Sequence, residues 1–162
     1  MTAPPAPVPH PLSSATQPFA ALDSAPGMAR GHVRAVLAGW DLSEFADTAE
    51  LVASELVSNA VQASAPVQAR GEVLVIRVCL ITDGSVLAIE VWDQAPGVPV
   101  LHRAAGLAES GRGLAIIDSL TGGRWGCQPA PGQHAKCIWA ELPLQERPAG
   151  QFLAAPCLPG AN

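Results

Sequence analysis

Three groups of residues in this chain have the types and spacing to do chemistry. The first is Glu55 and Asn59. Four apart on a helix, they project side by side. Around them Phe45, Ala49, Val52, Leu56, Ala60 and Ala63 recur at the spacing of one helical face. The helical rotation places Asn59 within about 20° of Val52, inside that stripe, with Glu55 at its edge. A carboxylate and an amide facing a core are costly unless something polar meets them. A ligand pocket with a metal ion is one such partner, since oxygen ligands suit Mg²⁺ and a spare carboxylate serves as a general base. The other reading is a buried hydrogen bond to backbone, or a helix turned so that both residues meet water.

The second group is Val91-Trp92-Asp93-Gln94-Ala95-Pro96-Gly97, an Asp at the end of an apolar run entering a Gly-containing turn. Such a carboxylate can accept a hydrogen bond from an exocyclic amine at a pocket floor, or it can simply cap the turn. The third group is Ser110-Gly111-Arg112-Gly113-Leu114. Glycines before a helix let backbone N–H groups approach an anion, and the helix dipole adds to the attraction. The plainer alternative is a flexible turn into a helix.

These residues need elements to hold them. Pro26–Gly39 has a helical apolar pattern, and a stronger helix is predicted over Ser43–Ser64, with Ser43 as N-cap and Pro66 closing the segment. The period then changes. Glu72–Ile81 is β-branched and almost continuously apolar, Asp83-Gly84 is a hairpin signal, and Ser85–Asp93 is the return strand. Residues 94–112 are rich in Pro and Gly, and a loop of that length in a compact domain is usually functional. A third helix is expected over Gly113–Leu120, then a hairpin of Arg124–Cys127 and Ala135–Leu142 across Pro131-Gly132. Helices followed by an antiparallel meander predict an α+β two-layer sandwich. The Pro/Ala/Ser-rich residues 1–17 read as a disordered tail, residues 18–144 as one folded domain, and 145–162 as a second flexible tail.

Composition narrows the function. The chain has 162 residues and a net charge of −5, and its eight Arg and single Lys are scattered. Phosphate-backbone binding needs a basic patch, so nucleic acid is not expected as a partner. No apolar run is long enough for a membrane span, and the six prolines among the first 18 residues are unlike a secretory leader. The four cysteines, Cys79, Cys127, Cys137 and Cys157, form no C-x-x-C pair, so reduced thiols and a cytoplasmic setting are expected. Cys127 and Cys137 flank Pro131-Gly132 and could face each other across the hairpin, as a redox pair or as two small buried thiols. His10, His32, His102 and His134 lack partners at metal spacing, which argues against zinc.

Taken in order, Glu55-Leu56-x-x-Asn59-Ala60, Asp93-x-x-x-Gly97 and Gly111-x-Gly113-Leu114 resemble the N, G1 and G2 boxes of the GHKL ATPase/kinase superfamily, which includes gyrase, MutL and histidine kinases. The strings ELVSNAV, GRGLAII and KCIWAEL look most like its small anti-sigma-factor serine kinases and their ATP-binding relatives. The resemblance spans about residues 18–144. It implies a Bergerat-type sandwich, with a mixed, mostly antiparallel sheet and helices on one face.

It also implies ATP and Mg²⁺ as cofactors. Asn59 would coordinate Mg²⁺, and Glu55 would be the base that takes the proton of the attacking hydroxyl. Asp93 would bind the adenine amino group, with Gly97 letting the backbone pass the ring. Gly111, Arg112, Gly113 and Leu114 would contact phosphates, and residues 98–110 would form a short lid. The implied partners are a sigma factor and an anti-anti-sigma protein of the STAS type, whose serine accepts the phosphoryl group, with a homodimer as the common assembly.

Two positions depart from the pattern. Ala95 and then Pro96 stand where the G1 box usually has a glycine two residues after its Asp, and Gln62-Ala63 stand where a basic residue or His often follows the N box. Alanine resists a positive φ by about 1 kcal/mol or more. A degenerate, non-catalytic module that grips a sigma factor or STAS partner is therefore the alternative to a kinase.

Overall fold

The computed structural model describes residues 12–96, 112–129 and 136–144. Its elements in chain order are strand β1 (Ser13–Ala20), helix α1 (Ala25–Gly39), helix α2 (Ala46–Gln68), strands β2 (Val75–Thr82) and β3 (Val86–Asp93), helix α3 (Arg112–Thr121), and strands β4 (Trp125–Pro129) and β5 (Lys136–Pro143). The strands form one five-stranded sheet in the order β1-β2-β3-β5-β4. Every pairing in it is antiparallel. The α+β sandwich is therefore as expected, with a sheet that is antiparallel throughout rather than mixed.

The helices bury apolar stripes against one face of the sheet. On α1 the buried residues Ala25, Ala29, Val33 and Leu37 step by four, and Pro26 sits in the first turn, where its missing N–H costs nothing. On α2, Ala49, Val52, Leu56 and Ala60 are fully buried, so the stripe read from the sequence is the packed face. They meet Ile76, Val78 and Leu80 of β2, Leu87, Ile89 and Val91 of β3, and Ile138, Ala140 and Leu142 of β5 in one core. Alternation along β3 puts Asp93 on this same helix-facing side, at the strand's end. β3 is buried along its whole length, which is why its sequence shows no apolar–polar alternation.

The hairpin joining β2 and β3 is built as expected. Asp83 Oδ1 accepts hydrogen bonds from the backbone N–H of Ser85 (2.9 Å) and Val86 (3.1 Å), while Gly84 takes a φ of 84° that other residues resist.

Four expectations change. Residues 13–17 of the expected N-terminal tail belong to β1, an edge strand paired with β2 from Ser13↔Thr82 to Ala20↔Val75. An edge position tolerates Pro18, and ladder hydrogen bonds to β2 make up for side chains of weak strand preference. Ser43 starts a 3-10 turn, Ser43–Phe45, and makes no side-chain cap; α2 begins after it, at Ala46. Pro66 lies within α2 rather than beyond its end. So close to the C-terminus it forfeits a single backbone bond, and the N–H of Ala69 on the Ala65 carbonyl (3.0 Å) closes the final turn.

Cys127 and Cys137 do not face each other. Cys127 is opposite Ile138, and Cys137 opposite Gln128. One residue of offset puts the two thiols on opposite faces of the sheet. Both are free, and burial pushes both thiols up from their ordinary value, away from thiolate reactivity. The Pro131-Gly132 turn itself lies outside the described residues.

Candidate functional site

The chemistry-bearing residues gather in two clusters. In the first, α2 presents Glu55 and Asn59 to the first turn of α3. A Cβ placed on Gly113 would come closer than 3.0 Å to Glu55 Oε2 and 3.9 Å from Asn59 Oδ1. Glycine at this point leaves room for the Glu55 carboxylate, the free end of a long side chain, so the structure brings the N-box pair against the G2-box glycine. Both side chains are half-buried. The amide nitrogen of Asn59 is buried with no hydrogen-bond partner, and Glu55 takes part in no ion pair among the described residues. Neither alternative raised by the sequence, a backbone bond or full solvation, applies to that Asn59 nitrogen.

The other carboxylate on this helix is different. Glu50 is buried and held by Arg34 of α1 through two hydrogen bonds, Nε to Oε1 at 2.7 Å and Nη2 to Oε2 at 2.9 Å. That pairing clamps α1 to α2 and raises the Arg34 value through its bond to Glu50. Glu50 is structural, and Glu55 is left available.

The second cluster lies where β3 and β5 pair. Asp93 is directly opposite Lys136. Its Oδ1 accepts from Lys136 Nζ at 2.7 Å and from the backbone N–H of Ala95 at 2.9 Å, while Nζ also donates to the Ala95 carbonyl at 2.9 Å. Asp93 is 2% exposed and Lys136 6%. Burial raises the Asp93 carboxyl above its ordinary value, and the bonds from Lys136 and Ala95 pull the other way. Oδ2 is buried and has no hydrogen-bond partner. An ionised oxygen left bare at this depth is costly, which is the condition a ligand amine would relieve.

Ala95 is buried in this cluster, and among the described residues Asp41 is the one non-glycine with positive φ. The turn after Asp93 is therefore made without the strain that an alanine there had threatened. Leu114 is buried behind Gly113 in the core. Arg112 is the first residue of α3. Gly97, Gly111 and the expected lid at 98–110 lie outside the described residues.

A comparison with known protein families matches residues 19–122 to the histidine kinase-like ATPase domain. The chain belongs to that family. A search of curated proteins finds no match. The matched range runs from the end of β1 through α3, and so contains Glu55, Asn59, Asp93 and Gly113, while Lys136 lies beyond it.

The residues present fit the ATP that the histidine kinase-like ATPase domain implies. Asp93 Oδ2 is an orphaned acceptor, and Gly113 adds no side chain of its own to the first turn of α3 beside Glu55 and Asn59. Mg²⁺ is usually held by one or two protein oxygens together with phosphates and water, so Asn59 Oδ1 suffices for the protein's share. Among the described residues no group of three or more His, Cys, Asp or Glu could hold a metal by itself. No helix among them is long and apolar enough to cross a membrane.

Sequence reasoning missed Lys136 as a site residue. Its partner is 43 positions away, across a strand order that no local pattern reveals. The signal that was present is compositional: Lys136 is the chain's single lysine, and it opens a strand whose next four residues, Cys137, Ile138, Trp139 and Ala140, are apolar.

Proposed function

We propose that this chain binds Mg-ATP and transfers the γ-phosphate to a serine of an anti-anti-sigma partner of the STAS type, serving in the cytoplasm as an anti-sigma-factor regulator of transcription. The observation that carries this reading is the unpaired Glu55 carboxylate, set beside Asn59 against Gly113 in the first turn of α3. Bound Mg-ATP would supply the phosphoryl group. Asp93 would accept the base amine, Asn59 would contribute an oxygen to the metal, and the N–H groups opening α3 would face the phosphates with the positive end of the helix dipole. Glu55 would take the proton from the serine hydroxyl as its oxygen attacks, a role suited to a carboxylate with no competing cation.

The second reading is a module that grips a sigma factor or STAS partner without transfer. It draws on Gln62, which is exposed, and on Ala63, which together leave α2 without a cation beyond Asn59. A sigma factor, a STAS protein and a second copy of the chain are the partners to test.

Calorimetry of Mg-ATP against wild type, Asp93→Asn and Asn59→Ala tests the nucleotide reading. Heat in wild type that is lost in the variants supports it; no binding at millimolar ATP counts against it. Transfer of labelled phosphate to a STAS protein, absent in Glu55→Ala, separates kinase from module.

A further inference from the structure

Lys136 is the chain's single lysine, yet it is almost completely buried. An ammonium carries three N–H donors. Here two are used, one on Asp93 Oδ1 and one on the Ala95 carbonyl. Beside this spare donor stands a spare acceptor, Asp93 Oδ2, buried and without a partner. The two groups come from directly opposed positions on β3 and β5, and strand alternation points both to the helix-facing side of the sheet. A purely structural ion pair would be expected to satisfy both carboxylate oxygens, because a buried charge with an idle lone pair is costly. This pair instead leaves one donor and one acceptor side by side.

We propose that Lys136 reads the base together with Asp93: the ammonium donates to N1 of adenine while Asp93 Oδ2 accepts from the 6-amino group. The assignment rests on the nucleotide reading above. It makes Lys136 a specificity-determining residue, and it gives the Ala95 carbonyl the task of holding the ammonium in place. Bonds to charged groups are the stronger kind, so losing this one should weaken binding about tenfold or more.

Calorimetry on the wild-type protein compares ATP with 1-deaza-ATP, which keeps the amine and lacks N1. The expected result is a loss of about tenfold or more for the analogue. Lys136→Met, checked for folding by thermal melting, should bind both nucleotides equally and weakly. Because the chain has one lysine, protein labelled with ¹⁵N-lysine should show one side-chain ammonium resonance, and ATP should shift it much more than 1-deaza-ATP. Equal affinity of wild type for the two nucleotides, with equal ammonium shifts, would overturn the role of Lys136 and leave the nucleotide reading standing. Tighter binding of GTP than of ATP would overturn the adenine assignment. Failure of wild type to bind any of these nucleotides would remove the nucleotide reading, and this inference with it.

Discussion

Where α2 meets α3, the polar side chains are half-buried, Glu55 has no ion pair, and space is kept by a missing Cβ on Gly113. Where β3 meets β5, the polar side chains are almost inaccessible, and Asp93 and Lys136 bind each other and the Ala95 backbone. The first region holds a carboxylate with no ion-pair partner, which on the proposed function is the group that would engage a substrate. The second holds a carboxylate, proposed to recognise the base, whose position is set by bonds within the protein. Removing Glu55 should therefore affect chemistry alone in the first region, whereas removing Asp93 in the second should affect folding as well as binding.

The largest effect tests the first half of that contrast. Glu55→Ala should lower phosphate transfer by about 10²- to 10⁴-fold, the usual worth of a general base. Mg-ATP affinity by calorimetry should be unchanged, and urea denaturation should stay within about 0.5 kcal/mol of wild type. Unchanged transfer would show that another group takes the proton.

Asp93→Ala tests the second half. It strands the Lys136 ammonium in the core, and should cost about 3–5 kcal/mol in urea denaturation along with ATP binding. Replacing both partners, Asp93→Leu with Lys136→Met, should restore much of the stability while binding stays lost. If the single variant were as stable as wild type, the two regions would not differ in the way described.

Gly113→Ala lies between these extremes. The added methyl would overlap Glu55 Oε2, the free end of a flexible side chain, so the carboxylate must turn out of its rotamer, at a cost of about 0.5–1.5 kcal/mol. Glu55→Ala combined with Gly113→Ala should recover part of this loss, a coupling that a double-mutant cycle measures.

The smallest effect is a pH dependence confined to the strand region. The folded value of Asp93 is raised, with burial as the main cause. Its contribution to stability is thus fully present below the ordinary value of 3.8 and is lost as pH rises through the raised folded value. ATP affinity should move the opposite way, rising with pH as Oδ2 becomes an acceptor. Urea melts of wild type against Asp93→Asn, which lacks this titration, and calorimetry of wild type over that window check the two trends.

Much of the helix region was legible in the sequence. The spacing of Val52, Leu56, Asn59 and Ala60 depends on helix geometry alone, and the buried face of α2 follows it. Gly113 was legible as a motif, although its contact with the carboxylate of a helix far away in sequence was not. Asp93 could be placed at a strand end, but its ammonium partner could not, because β5 reaches β3 only through the sheet order. β1 escaped for a related reason: Ser13–Ala20 has little strand preference of its own, and its conformation comes from pairing with β2. The offset of Cys127 from Cys137 likewise depends on register, which symmetry about a turn does not determine.

The position of β5 has a consequence for how the protein is made. It follows β4 in the chain but lies between β3 and β4 in the sheet. While a ribosome is still translating toward Lys136, β3 has one long edge without its neighbour, the kind of edge that invites wrong pairing. Asp93 at that moment has no ammonium to meet. The Asp93–Lys136 pair is thus completed only after β4 has been made, and a nascent chain stalled before Lys136 would carry Glu55 and Gly113 with Asp93 still unpaired.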